Sequence, residues 1–443
     1  MSRSRGLQVR NAPSPSLIFA YLAIGLLSFL FLGAWTAFSW GEWGGFYASP
    51  RNLAWVHLAV LLWLNLIIFG VLFQFVPVVL HVRLASEKLA WAQLAFYLPG
   101  AIGMTASFWI GRLDWPLHSY ATILWIGFFL FIWNMLVTYR KVEVWTLTAR
   151  CIYAALLYLL ATIMLGLFLS IHLAYPMGNV SHLTLLKIHA HFGIVGWLLM
   201  IVMGLSQRLL PMFLLSHNYS TKPGEAAFYL INVGLPVWLL LVYLDASIVV
   251  QSIAALLVVA GVLSYLFQTV LIFRNRQKVR SDAFRQKSVR RMEFQLWFAA
   301  AALIALVAAG LFGTGITIFQ TSLSGEVLNR LILIYGAIVF LGFFSLLTQA
   351  ILYKIIPYLV WLKKFSRVAG RIRAPRIDAL VPRKSAIGQL ALYTGGAIVA
   401  IVALGLEIGA LSKAASILLL VSSAWLPVNF LIVWKRAVPL ENR

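Results

Sequence analysis

The sequence predicts an all-α, polytopic membrane protein with twelve transmembrane helices and both termini on the cytoplasmic side. Three observations carry that prediction. First, of 443 residues 62% are hydrophobic and only 11% are charged, and the mean hydropathy is +0.92. A soluble surface is not built from such a composition. Second, apolar segments run at about 16–39, 53–78, 89–110, 118–139, 151–174, 186–214, 226–244, 249–273, 295–318, 329–361, 387–408 and 412–434. Each is long enough to cross roughly 30 Å of hydrocarbon as a helix. Third, the connections alternate in charge.

"VRLASEK", "YRK", "RNRQKVRSDAFRQKSVRR" and "KKFSRVAGRIRAPRIDALVPRK" are basic, as are the N-terminal leader and the C-terminal "WKRAVPLENR". The intervening connections "GEWGGFYASPR", "GRLDWP", "YPMGNVSH", "LDAS" and "QTSLSGE" hold few bases. Positive charge marks the cytoplasmic side, and an even number of spans is required for both termini to share it. The expected organisation is a tail at 1–15, one transmembrane domain at 16–435 and a tail at 436–443.

The net charge of +23 does not indicate a nucleic-acid partner. The bases lie in short loops between apolar segments, where they set topology and meet anionic lipid head groups. The single cysteine, Cys151, excludes disulfides, thiolate metal cages and a covalently attached c-type haem. The basic leader is read as a retained tail, because no small-residue cleavage site follows the first apolar run.

An internal repeat organises the segments. The second reads "HLAVLLWLNLIIFGVLFQFVP" from His57 to Pro77, and the sixth reads "HFGIVGWLLMIVMGLSQRLLP" from His191 to Pro211. In both, His is followed by Trp at +6 (Trp63, Trp197), Gly at +13 (Gly70, Gly204) and Pro at +20. The tenth segment fits loosely: back from Pro357, the His, Trp and Gly positions hold Ala337, Phe343 and Ala350, and the position of His189 holds Tyr335. Repeats four segments apart predict three four-helix arcs around a pseudo-three-fold axis, with repeat helices near 53–78, 186–214 and 329–361.

Six of the eight histidines (His57, His118, His172, His182, His189 and His191) fall at or just inside the outer face. His81 and His217 lie at cytoplasmic ends. His118, His172 and His182 are read as interfacial. His57 and His191 sit inside apolar helices, where an imidazole is costly and usually functional. His189 and His191 are two residues apart, about 200° around a helix, so they serve different partners. No i, i+4 histidine pair with carboxylates or thiolates suits zinc. An apolar iron macrocycle held by imidazoles, with aromatic walls and bases for its propionates, suits these residues better.

"HAHFGIVGWLLMIVMGLSQRLLP" resembles the HxHxGxxGW…P helix of the haem–copper oxidase superfamily, especially the nitric-oxide reductases and C-family oxidases. The His57 segment resembles helix 2 of those proteins. The resemblance covers the whole chain in architecture but specific motifs only in the second and sixth segments. It implies that His57 and His191 ligate a low-spin haem b, and that His189 is the proximal ligand of a second haem where one exists. Lys187, one turn before His191, would meet a propionate or reach the outer interface. Trp63 and Trp197 would line the haem, and Tyr335 is grouped with these contacts by its repeat position. The implied setting is the prokaryotic inner membrane. The implied partners are lipid, respiratory-complex subunits and a cytochrome or quinol electron donor.

Three departures set the chain apart. The HxH helix is the sixth rather than the tenth. No adjacent histidine pair occurs in "AAFYLINVGLPVWLLLVYLD", so a copper or non-haem iron centre is not expected. The family's acidic proton-channel residues have no clear counterpart, the only acid well inside a helix being Glu407, so redox-driven proton pumping is not expected. The chain thus looks like a divergent relative, similar to the NnrS group, acting in electron transfer or in NO or O2 binding and reduction. Two other classes remain: a non-catalytic anchor subunit of a larger respiratory complex, and a twelve-helix secondary transporter.

Overall fold

A computed structural model describes residues 11–177, 181–276, 293–366 and 374–436. The start of the basic leader, most of the basic connection after 274, the middle of the 362–385 loop and the C-terminal tail lie outside these residues.

Among the described residues the secondary structure is helical throughout. Eleven helices are long and apolar enough to cross a membrane. They are α1 (Pro15–Phe38), α2 (Pro50–Val79), α4 (Trp115–Tyr139), α5 (Leu147–Ala174), α6 (His182–Leu214), α7 (Lys222–Tyr243), α8 (Ile248–Arg274), α9 (Phe294–Phe319), α10 (Gly325–Lys364), α11 (Arg383–Leu406) and α12 (Gly409–Lys435). The remaining long helix, α3 (Glu87–Trp109), has 23 residues. That is about 35 Å at 1.5 Å per residue. It falls short in apolarity, with Gln93, Thr105 and Ser107 among its buried residues.

Glu407 corrects one expectation. It is not inside a helix: α11 stops at Leu406, and Glu407 takes the left-handed conformation at φ 56°. Its carboxylate pairs with the Arg330 guanidinium at 2.5 Å. A left-handed turn ends the i→i−4 ladder, so the acid belongs to a helix end.

The chain forms two compact units. The first takes α1, α2, the start of α9, most of α10, α11 and α12. The second takes α3 to α8, the rest of α9 and the start of α10.

In the first unit α1 packs on α2 and α12, α11 packs on α12, and α10 touches both α11 and α12. A buried polar network ties the last three together. Gln389 Nε2 donates to Gln349 Oε1 and to Ser422 Oγ, both at 2.8 Å. Tyr353 O–H donates to Gln389 Oε1 at 3.0 Å, and Asn429 Nδ2 donates to the Tyr353 hydroxyl at 2.7 Å. Gln349, Gln389, Ser422 and Asn429 have no exposed surface. In such surroundings every stranded polar group is costly. Gln389→Leu is therefore expected to destabilise the protein by about 1–3 kcal/mol, read as a lowered thermal midpoint in detergent. An unchanged midpoint would show that the network does not hold α10, α11 and α12.

In the second unit α5 packs on α4 and α6, and α7 packs on α6 and α8. A core of Ile188, Leu235, Trp238, Leu239, Val242, Ala254, Ala255 and Val258 joins α6, α7 and α8.

The repeat has a backbone counterpart. Three helices switch from i→i−4 to wider π winding for eight residues, at Leu58–Asn65 in α2, Phe192–Leu199 in α6 and Ile338–Ser345 in α10. Each stretch begins one residue after the repeat position held by His57, His191 or Ala337. Each closes with a backbone N–H bonded to the carbonyl of the +6 aromatic, Trp63, Trp197 or Phe343. Winding of this kind is rare, is mostly confined to a single turn and is frequent at functional sites. The repeat glycines also share a cause. A Cβ on Gly70 would stand 3.0 Å from Tyr21 Cβ, and one on Gly204 would stand 3.0 Å from Cys151 Cβ. Each therefore lets its helix approach the one before it, α1 or α5 respectively. Small residues at helix crossings do this throughout membrane proteins.

Candidate functional site

His57 and His191 stand at the same point of their helices, as the last α-wound residue before the π stretch. Their side chains are held identically. Nδ1 of His57 is 2.7 Å from the Leu53 carbonyl, and Nδ1 of His191 is 2.7 Å from the Lys187 carbonyl. A carbonyl can only accept, so Nδ1 carries the proton in both rings and Nε2 carries the lone pair. Metal-bound histidines are characteristically fixed this way, with one nitrogen donating to a carbonyl and the other presented as ligand. Continued α winding calls on carbonyls four residues back. Where the π stretch begins, the ring nitrogen also takes a carbonyl at i−4.

His191 meets α7 edge-on through Trp238, with ring centroids 4.7 Å apart at 90°. The Lys187 ammonium lies over the same indole, 5.6 Å from its centroid. Trp238 is 6% exposed, and its Nε1–H is buried with no hydrogen-bond partner. An unmatched buried donor beside an imidazole and an ammonium is a place for an acceptor of negative charge. A haem propionate has that chemistry, and the fit of these residues to haem rests on this donor together with the Nε2 lone pair of His191.

His189 turns to a different neighbour. Its Nδ1 donates to the Thr162 carbonyl of α5 at 3.1 Å. Gly166 makes room for the ring, since a Cβ there would stand 2.9 Å from His189 Cε1. The two rings of the HxH pair thus contact α5 and α7 separately.

Trp63 and Trp197 are both buried. Trp63 stacks on Phe29 at 4.3 Å and donates from Nε1 to Ser345 Oγ at 3.2 Å. Trp197 lies edge-on to Phe131, with centroids 6.3 Å apart. Tyr335 is half-buried, two residues before Ala337. Trp238 is the residue that sequence reasoning missed. Its segment was searched for a histidine pair, and a tryptophan in an apolar helix gives no other local signal.

No family model and no curated protein matches the sequence. Solved structures do match, with 22 chains found. One is a haem–copper terminal oxidase determined as a dimer by cryo-electron microscopy. It has a TM-score of 0.67 and 11% sequence identity, with 97% of this chain and 84% of that chain covered. The chain therefore has the fold of a haem–copper terminal oxidase, an all-helical multi-pass membrane architecture, and the identity is too low to show more than the fold.

Proposed function

We propose that this protein is a haem b-binding electron-transfer protein of the inner membrane, related to the catalytic subunit of haem–copper oxidases and nitric-oxide reductases. His57 and His191 would hold the haem iron. The observation that carries the reading is the shared state of those two imidazoles: the same repeat position, the same Nδ1 bond to the i−4 carbonyl, and so the same Nε2 lone pair. The oxidase-like fold supports it. The three matching π stretches support the finer architecture, in which α3 spans with the other eleven helices in three four-helix arcs, and the basic connections support cytoplasmic termini.

The haem would supply a one-electron Fe(III)/Fe(II) couple. The chain's own residues bind and tune it. The Leu53 and Lys187 carbonyls fix the tautomer and orientation of each imidazole, and partial negative charge at Nδ1–H makes Nε2 a stronger donor. Trp238 Nε1–H and Lys187 would hold a propionate, while Trp63 and Trp197 would line the haem. A desolvated ammonium disfavours the ferric state, so Lys187→Met is expected to shift the midpoint potential negative in a redox titration. A wild-type potential in that variant would remove Lys187 from the site.

A second haem on His189 is favoured by the Nδ1 bond to Thr162 and the space left at Gly166. It would have one open face for NO or O2. The reduced optical spectrum of the purified protein tests both parts. Soret and α bands of a low-spin b haem are expected, and their absence ends the haem reading. A CO-induced shift of part of the Soret band is expected if His189 holds the second haem. A CO-insensitive spectrum leaves electron transfer alone.

A further inference from the structure

Five histidines lie outside the proposed haem ligands, and two of them face each other. His172 is in the last turn of α5, and His182 is the first residue of α6. Their Nδ1 atoms are 3.3 Å apart, and their rings are parallel to within 15°, with centroids at 5.5 Å. Two lone pairs cannot face each other at that distance unless something positive lies between them. Either one proton is shared or one cation is.

The spacing suits the cation. Two nitrogen ligands on a tetrahedral ion at about 2.0–2.1 Å stand about 3.3 Å from each other, whereas N–H···O bonds and their like centre nearer 2.9–3.0 Å.

The surroundings hold the pair ready. His172 is 6% exposed and stacks on Phe168 at 5.7 Å, so its ring orientation is fixed. His182 is half-buried, which leaves an approach for an ion. His118 packs on Tyr175, three residues beyond His172, with centroids 5.9 Å apart, and its Nδ1 is buried without a partner. No cluster of three or more His, Cys, Asp or Glu is assembled among the described residues, so water completes the coordination. Neutral imidazoles without carboxylates select late first-row divalent ions over calcium or magnesium, which require oxygen.

We propose that His172 and His182 form a two-imidazole binding site for a zinc or copper(II) ion at the junction of α5 and α6. It is independent of the haem reading and uses none of its ligands.

The test uses the full-length protein in detergent, without a histidine tag. Equilibrium dialysis against Zn2+ is expected to leave one tightly held equivalent per chain. Loaded instead with one equivalent of Cu2+, the unaltered protein is expected to show an EPR signal coupled to two imidazole nitrogens. His172→Ala and His182→Ala are each expected to lose that equivalent, and His217→Ala to keep it. Equal uptake by all three variants overturns the proposal. So does a copper signal without two imidazole nitrogens, a reading that does not depend on any variant folding.

Discussion

Replacing either His57 or His191 with alanine is expected to abolish the low-spin haem spectrum while the chain remains folded. Each would supply one imidazole to the haem, and alanine offers no donor in its place. His191 meets the Trp238 indole edge-on, and the Lys187 ammonium lies over the same indole. The reduced spectrum of the purified variants checks this, beside a thermal melt that reports folding. A more discriminating variant is His191→Met, which keeps a soft ligand for iron. It is expected to retain haem with a more positive midpoint potential, because thioether–imidazole ligation favours the reduced state. His189→Ala is expected to leave the low-spin bands intact and to remove only the CO-sensitive component. If His57→Ala and His191→Ala keep the wild-type α band, the axial assignment is wrong.

Gly100→Val is expected to be the most destabilising single substitution in the second unit. A Cβ on Gly100 would meet the backbone nitrogen of Leu124 and stand 2.6 Å from its Cα. The close approach is mutual, because a Cβ on Gly127 would stand 2.7 Å from the backbone of Tyr97. Backbone atoms cannot rotate aside as a side-chain tip does, so α3 and α4 must separate along the crossing. Overpacking of this kind costs about 3 kcal/mol at the upper end of its usual range. The measurement is the thermal midpoint in detergent, with Gly395→Ala as control. Nothing lies within 4 Å of a Cβ at Gly395, and alanine improves a helix interior by roughly 0.5–1 kcal/mol. A Gly100→Val midpoint equal to wild type would show that α3 and α4 do not depend on this contact.

Much of the helical frame was legible because membrane insertion leaves a strong signature. The described helices begin and end within about four residues of the apolar segments. The exceptions have physical reasons. The third segment is helical but carries its polar groups inward, at Gln93, Thr105 and Ser107, so length and average apolarity disagree there. Glu407 was placed inside a helix because an apolar run does not reveal a single left-handed residue at its end. The π stretches were invisible as such, since no residue type encodes an i→i+5 bond. Their trace was the recurrence of His, Trp, Gly and Pro at fixed spacing in α2 and α6, which marks the register at which those two stretches begin, while α10 keeps only the proline.

At the site, the HxH spacing correctly separated the neighbours of His189 and His191. It could not reveal Trp238, whose role depends on α7 lying beside His191, a contact that sequence spacing does not carry. Nor could it show His172 and His182 ring to ring, a contact between two helices that sequence spacing does not carry.

The most direct test of the central claim is the ratio of haem to protein in the purified, unaltered chain, measured as the pyridine haemochrome. At least one b-type haem per chain is expected, and two if His189 also binds iron. A chain that is folded, fully helical and free of haem would contradict the assignment of His57 and His191.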